Sequence, residues 1–250
     1  MQSVAIILAG GEGTRFSSTL SKQFFMIKEK PLISYTVRAF QNSPYIDEIV
    51  VVGSLTSLKE IKTLVQKEGF DKVHHVIMGG NTRLESSYLG VNLYNDNQER
   101  KILIHDGARP LVSQKMIKDC VDSLDYYQAS SLAIPTSDTI FESYNKKIKS
   151  IPDRTFFYLA QTPQSFLLSI LKKAYNAYTK DVYKDVYKCF SDNCSLIRKY
   201  IPEVEIKIIE GDRKNIKLTF PIDAGYIKLL LKEDGAKKCK TKRKKIKSGT

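Results

Sequence analysis

Val4-Ala5-Ile6-Ile7-Leu8 runs directly into Ala9-Gly10-Gly11-Glu12-Gly13-Thr14-Arg15. A short apolar run bounded by glycines reads as a buried strand. A strand that empties into a glycine-rich loop presents backbone N–H groups at its carboxyl end, where open α/β sheets hold their ligands. Glycine lets such a loop close on a phosphate with no Cβ in the way. Arg15 and Lys22, seven residues apart, add positive charge beside it. The stretch reads as a triphosphate cradle. A dinucleotide loop would want G-x-G-x-x-G, and Phe16 stands where the third glycine belongs. A Walker loop would end in Gly-Lys-Ser/Thr, and no such ending follows. A tight turn that merely needs glycine stays open on this stretch alone.

Outward from the junction, strand and helix signals alternate. Leu32 to Phe40 has apolar residues at helical spacing, and Ile46–Gly53 reads as a buried strand. Leu58–Lys67 reads as a helix, Val73–Met78 as a strand and Ser86–Tyr94 as a helix. Lys101–Asp106 is another expected strand, Gln114–Tyr127 another helix, and Ser131–Pro135 closes the series as a strand. From Ser137 to about Tyr158 short polar and β-prone pieces, with Asn145-Lys146-Lys147 as a turn, read as a hairpin arm. An arm exposes strand edges, and a partner subunit is one way to cover them. Beyond it, Phe166–Tyr178 and Ile222–Lys232 read as helices and Val204–Ile209 as a strand. The expected fold class is α/β: a Rossmann-like, mostly parallel sheet with helices on both faces and a protruding β-arm for dimerisation.

At 250 residues the chain can bury a full core. No apolar run approaches the roughly 20 residues of a membrane span, and Val4–Leu8 lacks the basic lead-in and length of a signal peptide. The expected compartment is the cytoplasm. Cys120, Cys189, Cys194 and Cys239 form no C-x-x-C pair, so free thiols are expected and a zinc site is not supported. The net charge of +13 raises a nucleic-acid reading. However, eight of the charges sit on Lys237, Lys238, Lys240, Lys242, Arg243, Lys244, Lys245 and Lys247, so the rest of the chain carries about +5. That balance suits anionic small molecules. Residues 233–250 read as a basic, disordered tail. A binding module for RNA or membrane driven by this tail is the competing function class.

Other constellations carry chemistry. The strand ending His105-Asp106-Gly107-Ala108-Arg109-Pro110 puts an acid at a carboxyl end facing the glycine loop, a natural Mg²⁺ ligand, with Arg109 able to hold a second anion. A simple strand-end cap is the bland alternative. Gly79-Gly80-Asn81-Thr82-Arg83-Leu84-Glu85-Ser86 is a second strand-to-helix turn, where a flat base could lie on backbone and Ser86 could bond its edge; plain turn residues are the alternative. Gln161-Thr162-Pro163-Gln164 reads as polar punctuation before a helix. Asp212–Thr219 places Lys217 and Thr219 on one face of a short expected strand, with Asn215 holding the turn.

Together these pieces resemble the cytidylyltransferases that make CDP-methylerythritol, the 2-C-methyl-D-erythritol 4-phosphate cytidylyltransferases, and their relatives that make CDP-ribitol. The resemblance runs from about Val4 to Ile227. It is carried by LAGGEGTRF, SKQF, GGNTRLESS, HDGARP, SDTI, a DR pair, AQTPQSF and NIKLTFPID. It implies one nucleotidyltransferase domain over 1–232, with the arm at about 137–158, and a homodimer through that arm.

The same resemblance implies roles. Leu8, Ala9, Gly10, Gly11 and Gly13 would wrap CTP, with Gly79, Gly80 and Ser86 near the cytosine. Arg15, Lys22 and Lys217 would be catalytic, neutralising charge around the α-phosphorus, and Asp106 would hold Mg²⁺ beside the nucleotide. Arg109, Thr139, Thr162, Ser191 and Thr219 would line the polyol-phosphate side, and Arg154 would reach into a neighbouring subunit's site. Three departures stand out: Ser21 replaces the family's Pro, Phe16 its Met, and Ser191-Asp192-Asn193-Cys194 its Thr-Asp-Asp/Glu-Ala segment. The Arg15-to-Lys22 spacing looks like the methylerythritol branch, whereas Asp138-Thr139-Ile140 and Ile151–Arg154 look as much like the ribitol branch. The implied reaction is attack of the substrate's phosphate oxygen on the α-phosphorus of CTP. A phosphate monoester is already an anion, so positioning and charge screening replace a general base.

Overall fold

β1 (Gln2–Ala9) is buried from Ser3 onward, and its alternate side chains enter two different cores. Val4, Ile6 and Leu8 pack on one face of the sheet, and Ala5, Ile7 and Ala9 on the other. This is what a strand covered on both sides requires. The structure is a computed structural model and describes residues 1–11, 22–95, 97–181 and 190–232. After β1 come the two-residue strands β2 (Met26–Ile27) and β3 (Lys30–Pro31), α1 (Leu32–Gln41), β4 (Glu48–Gly53) and α2 (Leu58–Glu68). Then follow β5 (Val73–Met78), α3 (Arg83–Val91), β6 (Arg100–Asp106), α4 (Gln114–Ser123) and β7 (Ala129–Pro135). The remainder is β8 (Glu142–Tyr144), β9 (Lys147–Ser150), β10 (Tyr158–Leu167), α5 (Leu168–Lys180), α6 (Asn193–Tyr200), β11 (Ile206–Glu210) and a helix over 221–232, α7.

Seven strands form one sheet in the order β11-β7-β10-β6-β1-β4-β5. All pairings are parallel except those of β10, which runs antiparallel to both β6 and β7. Side chains of α1, α2 and α4 build one core, and those of α3, α5 and α6 build the other. A smaller cluster of Ile27, Leu32, Ala108, Leu218, Ala224 and Ile227 fastens the 216–218 loop and α7 against the turn after β6. The mostly parallel α/β expectation holds.

Several local expectations are corrected. Residues 161–164 are not punctuation: they lie inside β10, buried between β6 and β7. Their polarity reflects hydrogen bonds made in the interior, not exposure. α5 accordingly starts at Leu168, not Phe166. α3 begins earlier than Ser86 because Thr82 caps it, accepting the Glu85 N–H, while Glu85 Oε2 accepts the Asn81 N–H. α4 ends at Ser123, short of Tyr127. Residues 216–219 form no strand; they are a loop pinned by the Leu218 N–H donating to Ala108 O at 2.9 Å. α6 had no counterpart in the sequence reading.

The arm forms as a hairpin of β8 and β9, exposed along its length. Asn145 and Lys146 take φ of 49° and 60°, the pairing that a tight two-residue hairpin turn demands, and Lys147 already belongs to β9.

Candidate active site

Parallel register brings the carboxyl ends of β1, β4, β5 and β6 to one edge: Leu8 lies beside Asp106, Ala9 beside Gly53, and Gly53 beside Met78. The loops that leave these strands are stitched together. The Gly107 N–H donates to Leu8 O and the Gly79 N–H to Gly53 O, both at 2.8 Å. Lys22 opens a single helical turn, and the next residue, Gln23, donates its side-chain amide to the Gly11 carbonyl at 3.0 Å. Arg15 and Gly13 lie outside the described residues.

Asp106 is the centre of this edge, only 7% exposed. Lys217 Nζ sits 2.7 Å from its Oδ2, Arg83 Nε 3.2 Å from Oδ1, and Arg109 Nε 3.7 Å from Oδ2. Burial would lift this carboxyl, but the three cations reverse that and hold it well below the usual carboxylate range. Asp106 is therefore an anion at every working pH. Three cations against one carboxylate leave the cluster two positive charges in excess, in a half-dry setting where charge is weakly screened. Arg83 Nη2 and Arg109 Nε are buried with no hydrogen-bond partner. The arrangement is made for anions.

The surroundings lock these groups in place. The Asp106 N–H donates to Thr162 Oγ1 at 3.1 Å, which explains why β10 carries a threonine here. Thr162 Oγ1 also lies 3.0 Å from His105 Nδ1, and His105 Nε2 lies 3.0 Å from Arg109 O. A carbonyl can only accept, so Nε2 carries the imidazole proton and Nδ1 accepts from Thr162. Burial pulls the His105 pKa down to about 4, against the raising effect of these bonds, so the ring is neutral. Arg109 Nη1 donates to Asn215 O at 2.6 Å, and Asn215 Nδ2 donates to Thr162 O at 2.9 Å. Asn215 does hold the turn, and through it Lys217 reaches Asp106.

Arg83 is the residue that sequence reading missed. It sat inside the quoted GGNTRLESS with no role attached, although an arginine on the first turn of a helix after a strand end could have marked it. Gly79 and Gly80 have a reason that needs no ligand. A Cβ on Gly79 would lie 2.6 Å from Ser86 Oγ, and one on Gly80 would strike the Glu85 side chain. Both glycines let the turn fold over the start of α3, and Ser86 Oγ donates to Gly80 O at 3.4 Å.

The expected acceptor residues fall in three places. Thr162 and Arg109 belong to the cluster, and Thr219 is close in sequence, its hydroxyl donating to Lys217 O at 3.2 Å. Thr139 and Arg154 lie on the arm side, both exposed, with Arg154 Nη1 donating to Ser137 O at 2.8 Å. Ser191 is exposed beside the cap of α6. For a metal, one carboxylate fits Mg²⁺ of the kind bound mainly through substrate phosphates. Among the described residues no group of three His, Cys, Asp or Glu gathers for an all-protein site.

The sequence model of IspD, 2-C-methyl-D-erythritol 4-phosphate cytidylyltransferase, matches residues 3–233. The chain belongs to that family. It is a nucleotidyltransferase of the cytidylyltransferase class. Over 225 residues it is 40% identical to the bifunctional ribulose 5-phosphate reductase/CDP-ribitol pyrophosphorylase of Haemophilus influenzae, covering 89% of this chain and 46% of that one. The chain thus spans about half the length of that relative. It is 33% identical over 235 residues to the 2-C-methyl-D-erythritol 4-phosphate cytidylyltransferase of Thermobifida fusca, covering 91% and 92%. A crystal structure of the 4-diphosphocytidyl-2C-methyl-D-erythritol synthase of Anaerococcus prevotii matches with a TM-score of 0.79 over 92% of this chain and 96% of that one. Its 24% identity speaks for the fold alone.

Proposed function

We propose that this nucleotidyltransferase moves CMP from CTP to 2-C-methyl-D-erythritol 4-phosphate, releasing pyrophosphate. The family match supports the chemistry, and one observation carries it to this site: a buried carboxylate outnumbered by Arg83, Arg109 and Lys217 beside the loop after β1. Two polyanions must approach each other here, so the work is neutralisation and in-line placement. In this reading Leu8, Ala9, Gly10, Gly11 and Gly13 wrap the triphosphate, and Gly79, Gly80 and Ser86 face the base. Lys217, Lys22 and Arg15 stabilise the charge that builds at the α-phosphorus. Arg109, Thr162, Ser191, Thr139 and Thr219 line the acceptor. Asp106 would hold Mg²⁺, which when bound supplies further neutralisation of the phosphates.

The arm supports a homodimer in which Arg154 serves the neighbouring site. Tyr144, Ile148, Ile151 and Phe156 stand exposed along it, an apolar surface that a second subunit would bury. Residues 1–232 act as the catalytic unit in the cytoplasm. None of the helices searched among the described residues is long and apolar enough to cross a membrane.

A second acceptor, D-ribitol 5-phosphate, is favoured by the 40% identity to a CDP-ribitol pyrophosphorylase and by the resemblance of Asp138-Thr139-Ile140 and Ile151–Arg154 to the ribitol branch. Incubating the enzyme with CTP and each polyol phosphate separately, and measuring CDP-polyol, decides between them. Product with the methylerythritol phosphate at the higher kcat/KM supports the first acceptor; the reverse order transfers the assignment to ribitol 5-phosphate. Release of pyrophosphate with UTP but not CTP would overturn both.

A further inference from the structure

Arg83 serves two partners at once. Its Nε donates to Asp106 and its Nη1 donates to Asn193 Oδ1 at 2.8 Å. Asn193 is fully buried at the start of α6. Its amide orientation is determined on every side. Nδ2 donates to Ser87 Oγ at 3.0 Å and to Tyr175 Oη at 2.8 Å, and the backbone N–H donates to Gln164 Oε1 at 3.2 Å. Only the amide oxygen is left, and it faces the guanidinium.

A carboxylate would occupy the same volume and would neutralise the guanidinium that the amide oxygen faces. The neighbouring acid does not stand in for it. Asp192 Oδ1 accepts the Ser195 N–H and Oδ2 accepts the Gln164 side-chain amide, so Asp192 caps α6. Arg83 is therefore gripped firmly by a neutral group, and Asp106 is the carboxylate with which it pairs. Its Nη2 is buried without a partner.

We propose that Asn193 is a positioning residue that sets the charge of the phosphate site, aiming Arg83 at Asp106 while leaving the guanidinium's charge available to bound phosphates. The inference rests on the cytidylyltransferase reading above and adds to it a determinant of polyanion affinity.

Asn193→Asp is the direct test, because it is isosteric and the Ser87 and Tyr175 hydroxyls can rotate to donate to the new oxygen. One added negative charge against Arg83 should weaken CTP binding about tenfold at moderate salt. CMP, with fewer phosphate charges, should lose distinctly less. Calorimetric titration of the full chain with CTP and with CMP, at fixed magnesium, measures both. General damage to the fold would weaken the two ligands alike, and that result overturns the proposal, as does CTP affinity within twofold of wild type. Should Asn193→Asp fail to fold, Arg83→Gln removes the same charge and must show the same selective loss of CTP; unchanged CTP affinity there also overturns it. Wild-type protein that binds no CTP would instead defeat the cytidylyltransferase reading itself.

Discussion

At the carboxyl ends of the central strands, α3, the end of β6, β10, α6 and the 215–219 loop meet around one buried carboxylate, joined by Arg83, Arg109, Thr162, Asn193 and Lys217. In the arm, by contrast, residues close in sequence pair with each other and leave their side chains in solvent. The first region is held by long-range contacts within one chain. The second is locally built, with Tyr144 and Phe156 73% and 82% exposed, and in the proposed dimer another subunit would cover it. Damage to the first should therefore appear in chemistry, and damage to the second in association.

The largest expected effect breaks the cluster. Lys217→Ala removes a preorganised charge beside Asp106 and should lower kcat by about 10²-fold or more, with little change in melting temperature. Near-normal turnover in steady-state assays would contradict its assigned role, and Lys22→Ala carries the same expectation.

Next comes the buried histidine behind the cluster. His105 has a pKa of about 4 when folded against 6.5 when unfolded. Between those values the unfolded chain binds the proton and the folded chain does not, so stability falls as pH drops from 6.5 toward 4 and levels off below. The slope from this group is at most about 1.4 kcal/mol per pH unit. Denaturant melts at pH 7 and pH 5 should show it. In His105→Gln this component should vanish; an unchanged slope in the variant would assign the loss to other groups. Asp106 adds to that loss only as the pH nears 4, where the unfolded carboxyl, with its ordinary pKa of 3.8, begins to take up a proton while the folded one stays ionised.

A smaller energetic effect sharpens the arm side. Phe156→Asp places a charge on the exposed apolar surface and should leave intramolecular stability within about 0.5 kcal/mol. On the proposed homodimer, light scattering should nevertheless report a dimer for the wild type and a monomer for the variant. A wild type that is monomeric and fully active would refute the dimer.

Removal of residues 237–250 should have the least effect of all, leaving cytidylyl transfer intact. Loss of function in that truncation would favour the binding module for RNA or membrane.

How much of this was legible beforehand followed the range of the interactions involved. Repeating units such as Val4–Leu8, Leu58–Glu68 and Val73–Met78 announce themselves because burial of one face or two imposes a period on neighbouring residues. β10 escaped because Gln161, Thr162 and Gln164 carry polar side chains whose partners are 28 to 57 positions away. A period cannot register a bond to His105 or Asp192. α6 escaped for a related reason: it is only 8 residues long, its buried apolar side chains Leu196 and Ile197 are too few to set a period, and its first residue, Asn193, is buried among hydroxyls and a guanidinium.

The sequence by itself determined the alternation of strands and helices, the glycine loop after β1, the acid at the end of β6, the arm with its Asn145 turn, and the family. Those depend on local propensity, apolar period and motif order, which are properties of neighbouring residues. Only the tertiary structure decided that Arg83, Arg109 and Lys217 converge on Asp106, that β10 runs antiparallel through the middle of the sheet, and that a neutral Asn193 holds Arg83. Charge acts through space and is felt most where water is excluded, so its arrangement emerges only once distant segments are packed together.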